Sequence, residues 1–589
     1  MPFLDLQSFM QHLEAVGELH RVTAEVDPEL EITEIATRSV REGRPALLFE
    51  NVRGSQFPLM INTLASRKRI EIALGRPPDE IGEELVSFVE RMNPPSLGKL
   101  WHGRKELMRL SNIRPRHIRS APVQQVIEQS PDLLTMPTLK CWPGDAGRFI
   151  TLPLVHSRDP ETGVGNLGIY RMQVFGAAEA GMHMQIQKGG GFHHWKAEKE
   201  GKPLEMAVAL GGDPALILSA IMALPEGIDE MGFAGIVRGA RTPLVKARTV
   251  DLRVPANAEF VLEGVVRPGV RRLEGPFGDH FGHYSGAAEF PVFEVTAITH
   301  RRNAVYPATV VGRPPQEDRF MGDATQMLLK PFIRLLRKEV KDLWAYYEAG
   351  FHNLLVVSVE TRYAREPIKT ALGLLGEGQL SLTKCMVLVG PDVDPGDFKA
   401  VLGAIRRNFD APEDFQLIAR TAIDTLDFTG EATHRGSKMV LDATGLNDAA
   451  KEQELTGIPV DLRTASPYIS KQRLFAGALL AVQVSGQGQG RGVIETLIKH
   501  PGLSRIKIVV AVSEDVDIGD DEQLLWGIFT RFDPARDVVF TDVGFKGIAP
   551  VYRGVMGIDA TWKQGYQAPL QMDPDIIRKV DQRWAEYWK

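Results

Sequence analysis

Glu274 and Asp279 stand five residues apart in EGPFGDHFGHY (274–284), the stretch of the chain with the most chemistry in it. Gly275, Pro276 and Gly278 shape the backbone between them, so the two carboxylates are held rather than left to wander. Two acids sharing a partly dry pocket with an arginine divide their roles, one staying ionised and the other serving as a proton donor. A tight turn draws on the same residue types, and both readings stand at this point. The arginine on offer is Arg171, which closes NLGIYR (166–171); alternation gives it one face together with Ile169, while Tyr170 takes the other. Facing inward it requires an anion, and facing outward it is an ordinary solvated side chain. Glu230 in IDEMGFAG (228–235) is a further acid set among glycines. The triple glycine 189–191 lacks the GK[ST] continuation of a phosphate-binding loop, so no P-loop is read there.

Several elements must position these groups. Residues 1–115 mix helical spacing with short apolar runs such as ALLFENV (46–52), the pattern of an α/β region. From 116 to 318 short β-rich segments alternate with turn signals, which predicts a barrel or sandwich. A kinked connecting helix is expected over 319–345, with Pro331 inside it. The region 346–570 returns to strand–helix units and contains a repeat: Lys384–Asp414 aligns without a gap on Lys507–Asp537, with thirteen of 31 positions identical. The repeat predicts a duplicated βα unit on a shared sheet. A helix over 571–589 carries Ile576, Val580, Trp584 and Trp588 at four-residue spacing, a stripe that needs cover from its own chain or a second copy.

The chain has 589 residues, 43% hydrophobic and 24% charged, enough for several packed domains and against bulk disorder. A net charge of −6 gives no basic excess for a phosphate backbone, so nucleic acid is excluded as a partner. Cys141 and Cys385 form no CxxC pair, which points away from a disulfide framework and toward a reducing cytoplasm. The longest apolar run, 215–224, is about half of the ~20 residues a bilayer span needs, so no integral membrane association is expected. No basic amphipathic helix is read from the pattern either.

The ordered series NLGIYR, MHMQIQKGG (182–190), IDEMGFAG, EGPFGDHFGHY, VVGRPPQED (310–318), SLTK (381–384) and GIDAT (557–561) resembles the UbiD family of prenylated-flavin-dependent decarboxylases over nearly the whole chain. The resemblance implies an N-terminal α/β region, a central split β-barrel akin to flavin reductases, and a C-terminal α/β oligomerisation domain whose terminal helix exchanges across a dimer. It implies that Arg171, Glu274 and Asp279 are catalytic, and that Ile169, Tyr170, Arg171, His183, Met184, Gln185, Lys188, Gly189 and Lys384 contact prenylated FMN. Lys507 occupies the position equivalent to Lys384 in the other repeat copy. Asn166, Glu230 and Gln187 are implied as ligands of Mn²⁺, with K⁺ as a further ion, and Gln187 stands where many members have a histidine.

The implied activity is reversible, non-oxidative decarboxylation of an aromatic or conjugated acid, such as a naphthoate or hydroxybenzoate precursor in quinone biosynthesis. The alternatives are a catabolic hydroxybenzoate-type (de)carboxylase, a catalytically idle flavin-binding subunit, and a flavin oxidoreductase, for which no dinucleotide fingerprint is present. A flavin prenyltransferase is implied as cofactor supplier and a homodimer or homohexamer as the assembly. The location implied is cytoplasmic, with visits to the membrane surface if the substrate is a prenylated ring.

Overall fold

The computed structural model describes residues 3–93, 96–185, 189–222, 224, 227–445, 455, 457–458 and 460–589. The chain divides into two compact units: Met1–Asp279 with His283–Leu329 and Pro569–Lys589, and His280–Gly282 with Lys330–Ala568. The N-terminal α/β region and the β-rich region both fall within the first unit.

The first unit is organised by a nine-stranded antiparallel sheet. Its order is Phe149–Ile150, Met172–Gly176, Glu179–Met182, Ala288–His300, Phe260–Glu274, Leu204–Leu210, Pro153–Arg158 and Gly165–Ile169, with Val126–Glu128 also pairing Ala288–His300. One connection fixes its shape. Gly165–Ile169 ends the sheet, Met172–Gly176 is second from the opposite end, and only Tyr170 and Arg171 join them. Six strand spacings on a flat sheet cover roughly 29 Å, whereas three Cα steps reach at most about 11 Å. The sheet is therefore rolled until its ends approach, and no ladder closes them among the described residues. This is the split barrel expected from the sequence, and Arg171 lies in its seam.

A four-stranded sheet, Leu19–Val26, Ala46–Val52, Leu59–Ile61 and Tyr306–Pro307, accompanies the barrel, and the apolar faces of both feed common cores. The terminal helix Pro574–Tyr587 starts at its Asp573 cap and packs on this same unit. Its Val580 and Tyr587 are buried, the Trp588 ring stacks on His20 at 4.7 Å, and Lys579, Arg583 and Tyr587 all converge on the buried Glu31. Its apolar stripe is thus covered within its own chain.

The second unit holds two five-stranded sheets of identical order. The first runs Val340–Ala345, Leu354–Val359, Cys385–Val389, Gly436–Ala443, Phe415–Thr421; the second runs Ile469–Phe475, Leu479–Val484, Ile508–Ser513, Ala549–Ala560, Val538–Lys546. In each the two outer strands are antiparallel to their neighbours and the three inner strands parallel. This corrects the shared-sheet expectation: each repeat copy sits in its own sheet, and the duplication covers a whole module. Only the strand–helix part of that module kept enough identity to be seen in the sequence. The connecting helix is also shorter than expected. It runs Glu317–Leu336 with Pro331 inside, and Val340–Ala345 is a strand whose buried Val340 and Leu343 imitate helical spacing but pair with Leu354–Val359.

Candidate active site

Glu274 ends the long strand Phe260–Glu274, and the short strand Phe277–Gly278 delivers Asp279 just beyond it. Between them Gly275 sits at φ +89°, a conformation that L side chains rarely adopt, and its N–H donates to Gln173 Oε1 at 2.8 Å. Asp145 braces the same loop. Its Oδ1 accepts from Gly278 N at 2.7 Å and its Oδ2 from the amides of Cys141 and Trp142. Burial pushes the Asp145 carboxyl up to about 6 against these hydrogen bonds and the Arg171 charge.

The two acids and Arg171 meet. Arg171 Nε donates to Glu274 Oε1 at 2.9 Å and Nη2 to Oε2 at 3.2 Å, a bidentate pair, while Nη1 donates to Asp279 Oδ2. The guanidinium also lies 4.7 Å from the Phe277 ring centroid. All three side chains are buried, Glu274 completely. This buried arginine is therefore matched by two anions and is not a solvated side chain, and the Glu274–Asp279 turn carries both of its partners.

His183 completes the cluster, with Nδ1 2.9 Å from Glu274 Oε2 and its ring 4.1 Å from that of Phe290. Burial opposes ionisation of Glu274, but the His183 hydrogen bond and the Arg171 charge outweigh it and hold the carboxyl below its usual range. Burial and Arg171 depress His183, so the imidazole is neutral. An ionised Glu274 only accepts, so Nδ1 carries the His183 proton. Nε2 is then an acceptor, buried and without a hydrogen-bond partner.

A second group gathers at the Gly165–Ile169 edge. Asn166 Nδ2 donates to Tyr170 OH at 3.3 Å, and Gly190 N donates to the same hydroxyl at 3.0 Å. The backbone at Gly189 comes so close that a Cβ there would lie 2.0 Å from Asn166 Oδ1. Glu230, first residue of the helix Glu230–Arg238, accepts from Leu167 N at 2.8 Å; burial and the neighbouring Asp229 push its carboxyl up to about 7. A buried carboxyl with so high a proton affinity is one that a cation would stabilise.

The remaining expected residues are distributed as follows. Ile169 and Gln185 are half-buried and Met184 is buried, all in the first unit. Gln187 and Lys188 lie outside the described residues. Lys384 belongs to the second unit, 1% exposed, with Nζ 2.8 Å from Asp427 Oδ2. Among the described residues no three His, Cys, Asp or Glu side chains group as a metal nest, so Asn166 and Glu230 stand as two oxygen donors. Sequence reasoning missed Asp145, Gln173 and Phe290. The first lies in WPGD (142–145), which reads only as a turn, and the others are ordinary strand residues.

Three family profiles match the chain: the N-terminal domain of 3-octaprenyl-4-hydroxybenzoate carboxy-lyase over residues 10–89, its Rift-related domain over 116–314 and its C-terminal domain over 319–443 and 468–559. A Chlamydia pneumoniae protein named as a subunit of 4-hydroxybenzoate decarboxylase is 37% identical over 575 residues, covering 97% of this chain and 96% of that protein. The UbiD-class enzyme HmfF of Pelotomaculum thermopropionicum, solved with FMN, is 30% identical with a TM-score of 0.65, covering 77% of this chain and 97% of its own. Vanillic acid decarboxylase of Sedimentibacter hydroxybenzoicus in its closed form is 26% identical with a TM-score of 0.68, covering 78% and 97%. Matched along nearly its whole length, with the acid–arginine–acid cluster intact, this chain belongs to the UbiD family of carboxy-lyases.

Proposed function

We propose that this protein decarboxylates an aromatic or conjugated carboxylic acid, reversibly and without oxidation, using prenylated FMN and a divalent ion such as Mn²⁺. The observation that carries the reading is the buried network in which Arg171 holds Glu274 with two N–H groups and Asp279 with a third. The chain's residues fit the flavin. The Gly189–Gly190 backbone packs directly on Asn166 and Tyr170 and opens the helix Gly189–Lys199, whose first-turn amides beyond that of Gly190 suit a phosphate. Tyr170, Met184 and the bare Nε2 of His183 add apolar and polar contacts. Asn166 and Glu230 would offer oxygen donors to Mn²⁺, and the resemblance adds Gln187, which lies outside the described residues.

Bound prenylated FMN supplies the electron sink into which the carbon–carboxylate bond breaks. Arg171 receives the substrate carboxylate by exchanging its Nη1 contact with Asp279 for one with the substrate, while Glu274 keeps the guanidinium in plane through Nε and Nη2. Asp279, released, carries the proton that replaces CO₂ on the carbon, so one carboxylate and one proton become CO₂ and a C–H bond. His183 Nδ1–H fixes the orientation of Glu274 throughout.

A hydroxybenzoate-like substrate is favoured by the names of the Chlamydia and Sedimentibacter relatives. A naphthoate or other quinone precursor is the biosynthetic variant, and a catabolic role is separated from it by a substrate panel. The test is anaerobic purification after co-expression with a flavin prenyltransferase, mass spectrometry of released cofactor and metal, then turnover of hydroxybenzoates and naphthoates. Prenylated flavin, a stoichiometric divalent ion and CO₂ release that Glu274→Gln abolishes while the cofactor stays bound are expected. Unmodified flavin, where a control relative loads fully, or a Glu274→Gln variant that still turns over, overturns the reading.

A further inference from the structure

Arg171 takes both of its anions and its aromatic neighbour from one short stretch, EGPFGD (274–279). The two anions are anchored differently. Glu274 is still part of the barrel ladder, paired with Ala288, and its carboxylate is also held by His183. Asp279 lies beyond the end of that ladder, where Phe277 and Gly278 pair with the two-residue strand Tyr284–Ser285 and Asp279 N donates to His283 O at 3.1 Å.

The turn Trp142–Ala146 holds this outer part from the other side. Asp145 Oδ1 accepts from Gly278 N at 2.7 Å, while Oδ2 accepts from Trp142 N and Cys141 N at 2.8 and 3.0 Å, so one carboxylate ties the loop to the turn. Ala146 N donates to Pro276 O at 2.9 Å, and Gly144 N donates to Tyr284 OH at the same distance. The buried Trp142 indole is wedged between two glycines: a Cβ on Gly278 would collide with one edge of the ring, and one on Gly312 would lie 2.6 Å from Cζ2. Its Nε1 donates to Val311 O at 3.0 Å, which fixes the plane of the wedge.

We propose that Asp145 and Trp142 are positioning residues for proton delivery: their turn holds the backbone at Gly278 and Asp279 still, so that Asp279 passes from Arg171 to the substrate carbon by rotation of its side chain alone. The inference rests on the decarboxylase reading and divides its two tasks, with the barrel ladder anchoring the group that binds and the turn anchoring the group that protonates. A carboxyl that swings between two partners needs a fixed Cα, because productive geometry tolerates only about 0.5 Å of error. Asp145 suits this task because both of its oxygens accept and an ionised acceptor holds backbone amides about twice as strongly as a neutral one. An asparagine there would turn an NH₂ donor toward amides that are donors themselves.

The test is Asp145→Asn in the full chain, loaded with prenylated FMN by co-expression. Its kcat for CO₂ release is expected to fall about 30-fold or more with KM within about twofold of the parent, since Arg171 and Glu274 still receive the substrate carboxylate. Hydrogen exchange at the amides of Gly278 and Asp279, read without turnover, is expected to quicken about tenfold or more. Tyr284→Phe removes the acceptor of Gly144 N and leaves the rest of the turn; it should cost about threefold in kcat at unchanged KM. If Asp145→Asn does not fold, Tyr284→Phe decides alone, and a parent-like kcat in it overturns the proposal. An active parent beside an equally active Asp145→Asn overturns this role and leaves the decarboxylase reading standing. A fall in kcat with parent-like exchange at Gly278 and Asp279 also overturns it, as does a loss carried by KM. A loaded parent that releases no CO₂ overturns the decarboxylase reading and this role with it.

Discussion

In the first module of the second unit Lys384 is 1% exposed and lies 2.8 Å from Asp427, with the buried Lys438 nearby; at the equivalent place in the second module Lys507 is half-buried and meets no acid among the described residues. The hydrogen bonds that hold the backbone did survive in both copies. Asp442 Oδ1 accepts from Thr444 N and Oγ1 at 3.1 and 2.7 Å, and Asp559 Oδ1 accepts from Thr561 N and Oγ1 at 3.1 and 2.6 Å. Asp410 N on Asp414 recurs as Asp533 N on Asp537. The second copy has meanwhile become a support for the first. Asp533 receives Ser437 N and Oγ, the Phe532 carbonyl receives Thr429 Oγ1, and the Phe532 ring lies 5.1 Å from Lys384 Nζ. Duplication kept the scaffold twice and the buried lysine–aspartate pair at this position once.

The largest break in this comparison is Asp427→Asn. It leaves two lysine ammonium groups in a low-dielectric interior without their nearest anion, and about 3–5 kcal/mol of stability is expected to go. Urea unfolding of the full chain reads it. A loss under about 1 kcal/mol would mean that the carbonyls around Lys438, not Asp427, neutralise the site.

Next in size is a pH effect at Lys438, whose Nζ donates to Ser381 O and Thr383 O at 2.8 Å each. Burial lowers it to about 8, with Asp427 opposing and Lys384 assisting. The folded value lies below the ~10.4 of an unfolded lysine, so between about pH 8 and 10 the unfolded chain binds more protons and stability must rise with pH. The parent is expected to gain up to about 3 kcal/mol over that window relative to Lys438→Met. A flat difference would show that Lys438 is charged and fully compensated, which would make the first module's cluster as benign as the second's.

Much of this is legible in the residues. Arg171, Glu274 and Asp279 stay open between roles on their residue types alone and are picked out by the ordered motif series that carries the resemblance, while the turns give a barrel or sandwich and the resemblance narrows it to the split barrel. Asp145 is not legible, because its task is to accept three backbone amides, a role that any turn aspartate has in sequence. The module boundaries are hidden because outside the 31-residue repeat only hydrogen-bonding geometry persists. The strand Val340–Ala345 reads as a continuation of the preceding helix because its two inward residues lie three apart, and partner strands, not spacing, decide its form.

The smallest effects test the scaffold side of the comparison. Thr444→Val and Thr561→Val each remove one hydroxyl donor from an aspartate that also caps the following amide, so each should cost about 1 kcal/mol. The pair sits in separate sheets with no shared partner, so the double variant should cost the sum to within about 0.5 kcal/mol. Lys507→Met should change stability by under about 0.5 kcal/mol, as a side chain with no ion pair to lose. Equal threonine effects beside a silent Lys507 would confirm that the copies share a scaffold and not a charge cluster. A Lys507→Met loss approaching that of Asp427→Asn would mean that the second module buries a functional cation of its own, and the division of labour between the copies would fail.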